Sequence, residues 1–469
     1  MKTPRSGREI SKKWLEYILR EHKAATDSST LLQVDNFTVR KDLGDGYNSQ
    51  VIFFTVETTE KNEANSPDVK KTYSLVAKLL NEETGSRVFA TKFKINLKEY
   101  LVYTDLINTF NKILTEKAPE ESLISLPKLI YGKCTKNDFV LVMENVENAG
   151  YETNDKCKGL DNEQLMAAVD KIARIHALSY VFCETSDTSK YLSLPRIDEY
   201  FDIIIIMIEG MLENTIDFLK SSKETEELGK KIKLSLPSLK ERTFNLMSSS
   251  SLFKCIIHGD FWNNNFMFKY ADTPDEQRII EDIMVIDWGN SSWGVPLFDL
   301  QYLIYSSTQR CIRKEHLDKA LSHYHSTFTT ITTKLGFPLS NWGLTELKAD
   351  WEKGYPVGFL LSCTLVLGTL STTNPFSKRQ ISEPSILDKP FLLPVTVLLD
   401  AMKLGMAKVF MALTFSLREK QLFKKVMKMA MKKLMIPILE ELKSGKNEAM
   451  NTRILDLIYE ADENGLFST

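Results

Sequence analysis

Ile256-Ile257-His258-Gly259-Asp260-Phe261-Trp262-Asn263-Asn264-Asn265 is the stretch on which the reading of this chain turns. An apolar strand ends in His-Gly-Asp, and an Asn stands five residues beyond that Asp. A second apolar strand, Val285-Ile286-Asp287-Trp288, places another carboxylate 27 positions after Asp260. Two strand ends thus carry two carboxylates and one amide. That set suits phosphoryl transfer, where catalysis is mostly positioning and charge neutralisation. Asp260 would receive or orient an acceptor hydroxyl, while Asn265 and Asp287 offer a neutral and a charged oxygen to magnesium.

Toward the N-terminus, Leu75-Val76-Ala77-Lys78-Leu79 reads as a short strand whose Lys can reach the α- and β-phosphates of a nucleotide. The turn Gly44-Asp45-Gly46-Tyr47-Asn48-Ser49 begins 34 residues before it. There Gly44 and Gly46 let backbone amides approach anionic oxygens, and Ser49 adds a hydroxyl donor. Alone, such a turn is only a hairpin; its place between two strands and ahead of Lys78 gives it weight. The Lys needs a carboxylate to hold it. Glu99, 21 residues further on and on an expected helix, is the candidate, whereas Glu82 and Glu83 fall in a loop.

Periodicity predicts an opening helix over 12–24, strands over 37–43 and 51–57, a polar exposed loop over 61–71 and a strand over 73–80. A helix over 93–114 and strands at 130–131 and 139–143 complete a small sheet. Past residue 150 the pattern is mainly helical, including 164–182, and is interrupted by short strands near 255–257 and 284–286. Strands first and helices second predict an α+β, two-lobed architecture, divided into 1–146 and 147–469, with nucleotide between the lobes.

The 469 residues are 43% hydrophobic and 26% charged, as expected of a folded globular chain. Sixty Lys and Arg against 62 Asp and Glu leave a net charge of −2, which offers no field for nucleic acid. The six cysteines, at 134, 157, 183, 255, 311 and 363, lack zinc or redox spacing. The N-terminus has no signal-peptide pattern, 203–208 is too short to span a bilayer, and 391–415 is broken by Pro394, Asp400, Lys403 and Lys408. A cytoplasmic setting is expected, with no membrane span and no obligate protein partner evident. Residues 418–433 read as an amphipathic helix, with Leu422, Phe423, Val426, Met427 and Ala430 inward under a solvated Lys face rather than a membrane-binding one.

His258-Gly259-Asp260, Trp262, Asn264-Asn265, Ile286-Asp287, Gly294 and Phe298-Asp299-Leu300 together resemble the ecdysteroid kinase-like family, within the choline kinase and aminoglycoside phosphotransferase group. The resemblance covers about residues 43–303. It implies a protein-kinase-like fold with a small antiparallel-sheet N-lobe and a large, mainly helical C-lobe. It also implies ATP with magnesium and phosphorylation of a small-molecule hydroxyl, on an ecdysteroid or another lipophilic alcohol. Supporting roles follow for His258, buried and fixing the catalytic loop, and for Asp299, accepting backbone hydrogen bonds. Residues 141–146 resemble the inter-lobe hinge, where backbone groups at Glu144 and Val146 would read adenine, and Glu99 with Tyr103 matches the family's spacing.

His176 is expected to be a satisfied core histidine. Asn263 stands where the family commonly has an apolar residue, and is expected beside the acceptor site. Trp293, Tyr302, Trp342 and Trp351 are candidates to line that site, with a plain core role the simpler reading. A protein kinase is disfavoured by Gly259 in place of Arg and by the step of only 12 positions from Asp287 to Asp299, too short for an activation segment. The remaining alternative is a nucleotide- or ligand-binding pseudokinase without turnover, against which the intact Asp260, Asn265, Asp287 and Lys78 speak.

Overall fold

Alternation in Leu75-Val76-Ala77-Lys78-Leu79 decides which way the first sheet faces. Successive strand residues point to opposite faces. Leu75, Ala77 and Leu79 join Trp14, Leu15 and Ile18 in a small core, leaving Lys78 on the other face. The computed structural model describes residues 1–24, 31–40, 49–61, 68–80, 90–249, 253–272, 278–373 and 421–468; Gly44, Gly46 and segment 391–415 lie outside these.

Helix α1 (Lys12–Ala24) covers the outer face of a five-stranded antiparallel sheet. Its strands are β1 (Leu31–Val39), β2 (Ser49–Lys61), β3 (Val69–Leu80), β4 (Leu129–Thr135) and β5 (Asp138–Glu144), in the order β1-β2-β3-β5-β4. Between β3 and β4 run α2 (Ile95–Leu101), a π-helical stretch (Val102–Leu106) and α3 (Ile107–Lys117). After β6 (Tyr151–Thr153) come α4 (Asn162–Thr185), α5 (Ser189–Leu192), α6 (Ile197–Leu219) and α7 (Glu226–Ser248). Asp161 and Gln164 form a reciprocal capping box that starts α4.

Short strands then interrupt the helices: β7 (Cys255–Ile257), β8 (Phe266–Asp272), β9 (Arg278–Val285) and β10 (Ser292–Gly294). They form a three-stranded sheet, β6-β8-β9, and a pair, β10-β7. The remainder is helical: α8 (Leu297–Ser307), α9 (Arg310–Lys334), α10 (Leu344–Leu370), α11 (Gln421–Leu434), α12 (Ile436–Ser444) and α13 (Glu448–Glu463). The chain is therefore a two-lobed α+β fold, with an antiparallel sheet N-terminal to a mostly helical remainder.

The elements differ from the periodicity at several points, of which four bear on the fold. β1 begins at Leu31 rather than 37, because an irregularity between Val34 and Asn36 breaks the alternation. The expected loop over 61–71 is narrower, since β2 and β3 stay paired as far as Glu60↔Val69. The helix after Lys94 changes to π-helical hydrogen bonding at Val102, which no apolar spacing announces. β8 was not expected at all: consecutive Phe266-Met267-Phe268 lacks alternation, and all three side chains are buried.

Helix α10 is long and apolar enough to cross a membrane by length and composition, with 67% of its most apolar window buried inside the protein. In α11 the side chains of Leu422, Phe423, Val426, Met427 and Ala430 lie outside the described residues. Its Lys428 and Lys432 pair with Glu213 and Asp217 of α6 at 2.8 and 2.5 Å.

Candidate active site

The β8–β9 ladder brings Asn265 and Asp287 together. Phe266 pairs with Val285, so Asn265 stands just before one strand and Asp287 just after the other. The Ile286 N–H donates to the Asn265 carbonyl at 2.9 Å, closing the gap between the strand ends. The Asn265 side-chain amide donates to the Asp260 carbonyl oxygen at 2.7 Å and to the Asp260 carboxylate at 3.2 Å. With its NH2 group so engaged, Asn265 has its Oδ1 left for a cation. Oxygen ligands from one amide and one carboxylate fit magnesium, which keeps waters and phosphate oxygens around it. Among the described residues no group of three or more His, Cys, Asp or Glu could hold a metal ion.

Asp287 has a left-handed backbone (φ 63°), uncommon for a non-glycine residue. Its Oδ1 lies 3.2 Å from Lys78 Nζ, whose other partner is Glu99 Oε1 at 2.5 Å. Burial alone would lower the Lys78 pKa, but the carboxylates of Asp287 and Glu99 more than offset it and raise the value, so Lys78 is held as an ammonium. Burial pushes the Glu99 carboxyl upward against the pull of Lys78, and a hydrogen bond from the Trp288 backbone also opposes that rise. Glu99 arrives here because α2 packs on the turn after Asp287. A methyl group at Gly289 would lie 2.5 Å from Ile95 Cγ2, so that approach requires glycine. The glycine after Asp287-Trp288 was a readable signal that the sequence reading passed over.

The loop carrying Asp260 is braced from below. Asp299 of α8 accepts the backbone N–H groups of His258 (2.6 Å) and Gly259 (2.8 Å). His176 Nε2 lies 3.2 Å from the same carboxylate, and His176 Nδ1 is 2.9 Å from the Tyr324 hydroxyl. His176 is thus a satisfied core histidine that also steadies the brace. The Asp260 N–H donates to His258 Nδ1, and His258 Nε2 lies 3.1 Å from the Ile286 carbonyl. This arrangement assigns the proton to Nε2 and occupies both ring nitrogens with backbone. Burial lowers the His258 pKa, which keeps the ring neutral. His258 sits as a loop-fixing residue, not as a base.

Asp260 itself is half-buried. Its carboxyl is pushed up to about 7, by burial first and by the charge of Asp287 second, against hydrogen bonds from Asn265 and Tyr302. Tyr302 therefore reaches the candidate catalytic carboxylate. Trp351 is a core residue, and Trp342 packs against the core. Asn263 departs from expectation. It is buried, its N–H donates to Ser307 Oγ at 3.0 Å and its Oδ1 accepts from Asn154 at 3.2 Å. Its partners sit under the loop, so it ties the loop to α8 and to the 154–159 segment.

Ser49 is buried at the start of β2, opposite Leu80. Glu144 ends β5 with its side chain turned outward, 3.7 Å from Lys128. Asn145 donates its N–H to the Ser74 carbonyl at 2.9 Å, and Val146 opens a 3-10 turn. Sequence reasoning missed Asp282, which accepts from Ser125 (2.8 Å) and Tyr151 (2.7 Å) and pairs with Lys171 (3.1 Å). Those partners lie far apart in the chain, and no local pattern marks them.

The sequence profile of the ecdysteroid kinase-like family matches residues 43–337, more than half of the chain. The chain belongs to that family. Membership supports a phosphotransferase acting on small molecules. No curated protein matches this sequence. Solved structures similar to this ecdysteroid kinase-like protein include a Plasmodium vivax ethanolamine kinase, 11% identical, covering 80% of this chain and 89% of that one with a TM-score of 0.33. A GDP complex of wild-type aminoglycoside 2'-phosphotransferase-IIIa is 14% identical, with coverage of 75% and 97% and a TM-score of 0.32. A glucosamine kinase in complex with glucosamine, ADP and inorganic phosphate is 10% identical, with coverage of 75% and 98% and a TM-score of 0.31.

Proposed function

We propose that this ecdysteroid kinase-like protein transfers the γ-phosphoryl group of ATP to a hydroxyl of a small lipophilic alcohol, an ecdysteroid among the candidates, in the cytoplasm. The observation that carries this reading is the meeting of Asp260, Asn265 and Asp287 with the Lys78–Glu99 pair. Lys78, fixed between two carboxylates, holds nucleotide phosphate. Backbone groups at Glu144 and Val146 read the adenine between the two parts of the fold, divided near 146, and Ser49 with the turn at Gly44 and Gly46 covers the phosphates. Magnesium, when bound by Asn265 and Asp287, supplies positive charge against the phosphate oxygens.

Asp260 orients the acceptor hydroxyl and takes its proton as the oxygen bonds to the γ-phosphorus and the bond to the β,γ-bridging oxygen breaks, releasing ADP. An upward-shifted carboxyl suits that role better than an ordinary one. The test is ATP consumption with product masses over ecdysteroids, other sterols, choline, ethanolamine and phenolic glycosides. Asp260→Asn should lower turnover by ~10²–10⁴-fold while nucleotide affinity is kept. Full turnover by that variant would remove Asp260 from the chemistry.

A further inference from the structure

Directly paired residues of antiparallel strands point to the same face of a sheet. Val51 pairs with Lys78 in the β2–β3 ladder, so it lies on the face that carries the candidate site. Phe53, two residues on, lies there too, whereas Ile52 and Phe54 belong to the core under α1. Arg40, the residue after β1, donates its N–H to the Phe53 carbonyl at 2.9 Å. Its guanidinium carbon sits 4.7 Å from the centre of the Phe53 ring. Arg40 is thus held against the Lys78 face of the sheet, where the chain leaves β1.

From there Arg40 Nη1 reaches to 3.3 Å from Glu147 Oε2, on the segment directly after Val146. Glu147 is fixed from its own side as well. The Asn145 side-chain amide donates to the same oxygen at 3.2 Å, and the Glu147 N–H donates to Asn145 Oδ1 at 3.2 Å. Asn145 is in turn tied to the Ser74 carbonyl of β3 at 2.9 Å. An exposed ion pair contributes little when two long side chains must be ordered to make it. Here the ring under Arg40 and the amide beside Glu147 supply that order. The two side chains are 48% and 47% exposed, so the pair can part without unpacking any core. A nucleotide with its base at Glu144 and Val146 and its phosphates at Lys78 has its sugar between those points, and the pair bridges the same two elements. We infer that Arg40 and Glu147 form a latch across the mouth of the nucleotide site, which opens to admit ATP and to release ADP. Its place over a nucleotide rests on the phosphotransferase reading. Both are positioning residues, acting on how long nucleotide stays rather than on the transferred group.

The test is the release of methylanthraniloyl-ADP from the full chain with magnesium, followed by stopped-flow fluorescence on displacement by excess ADP. Arg40→Glu and Glu147→Arg each set like charges across the mouth, and each should speed release about fivefold. Glu147→Arg is the sharper of the two. It adds positive charge beside an anionic ligand, which by field alone would slow release, whereas an opened latch speeds it. The chain carrying both reversals restores opposite charges and should return to within about twofold of wild type. A merely structural loss at either residue would not be rescued in this way. Release that is unchanged or slowed in Glu147→Arg, or a double variant no better than the singles, overturns the latch and leaves the phosphotransferase reading intact. Failure of wild type to bind the nucleotide overturns both. Faster release with rescue, but no phosphorylated product from any alcohol, upholds the latch and sinks turnover instead.

Discussion

Gly259 has φ +78°, and a methyl group there would meet the Asn290 carbonyl oxygen at 2.3 Å. Both the left-handed backbone and the contact forbid a side chain. Gly336 has a similar φ, +87°, but nothing within 4 Å. Gly336→Ala should therefore cost only the backbone term, about 1–2 kcal/mol. Gly259→Ala should cost clearly more in urea melts; equal losses would mean that Asn290 moves aside freely. Asp260 makes a second prediction at this scale. Its folded pKa of about 7 lies above the unfolded value of roughly 3.9, so the folded state binds that proton more tightly. The stabilisation is full below about pH 4 and is lost as pH rises through 7. Without magnesium, wild type should lose about 1–2 kcal/mol more than Asp260→Asn between pH 5 and 8, solvent contact screening the larger linkage expected of a sealed site. Parallel pH profiles for the two proteins would contradict this.

Helix α8 does more for the site than any other element. Asp299 holds two loop amides, Tyr302 reaches Asp260, the Phe298 ring lies 6.3 Å from that of Tyr302, and all its residues are buried. Its brace extends through His176 to Tyr324 on α9. Tyr324→Phe should cost about 1 kcal/mol by removing one hydrogen bond, and a cycle with His176→Phe should show coupling of at least 0.5 kcal/mol. Additive losses in thermal melts would show that the two side chains act separately. The Asp299 brace was legible through the family resemblance that Phe298-Asp299-Leu300 helps to carry. The hydroxyl behind His176 was not, since Tyr324 is 148 residues away in the chain and ordinary in its local context. β8 shows the same limit from the other side. Its residues lack alternation, yet its pairing with β9 is what sets Asn265 beside Asp287.

Across the whole molecule, Asp282 gathers groups from four separate segments: Ser125 ahead of β4, Tyr151 of β6, Lys171 of α4 and its own β9. Removing this carboxylate orphans two hydroxyls and a mostly buried ammonium. Asp282→Ala should destabilise by about 2–4 kcal/mol and weaken nucleotide binding, as read by melts and ADP titration. A loss under about 0.5 kcal/mol would show that the node does not tie the segments together. By itself the sequence determined the strands-first, helices-second order and the family, and it offered the residues of the His258–Asn265 stretch with Asp287, Lys78, Glu99 and Asp299 as site candidates. Those are carried by local periodicity and by short spacings, which survive in one dimension. Only the tertiary structure decided that Asn263 anchors the loop from below, that Tyr302 meets Asp260, and that Asp282 collects its distant partners. Each of these depends on side chains brought together by packing between elements far apart in the chain, and such contacts leave no period or spacing to read.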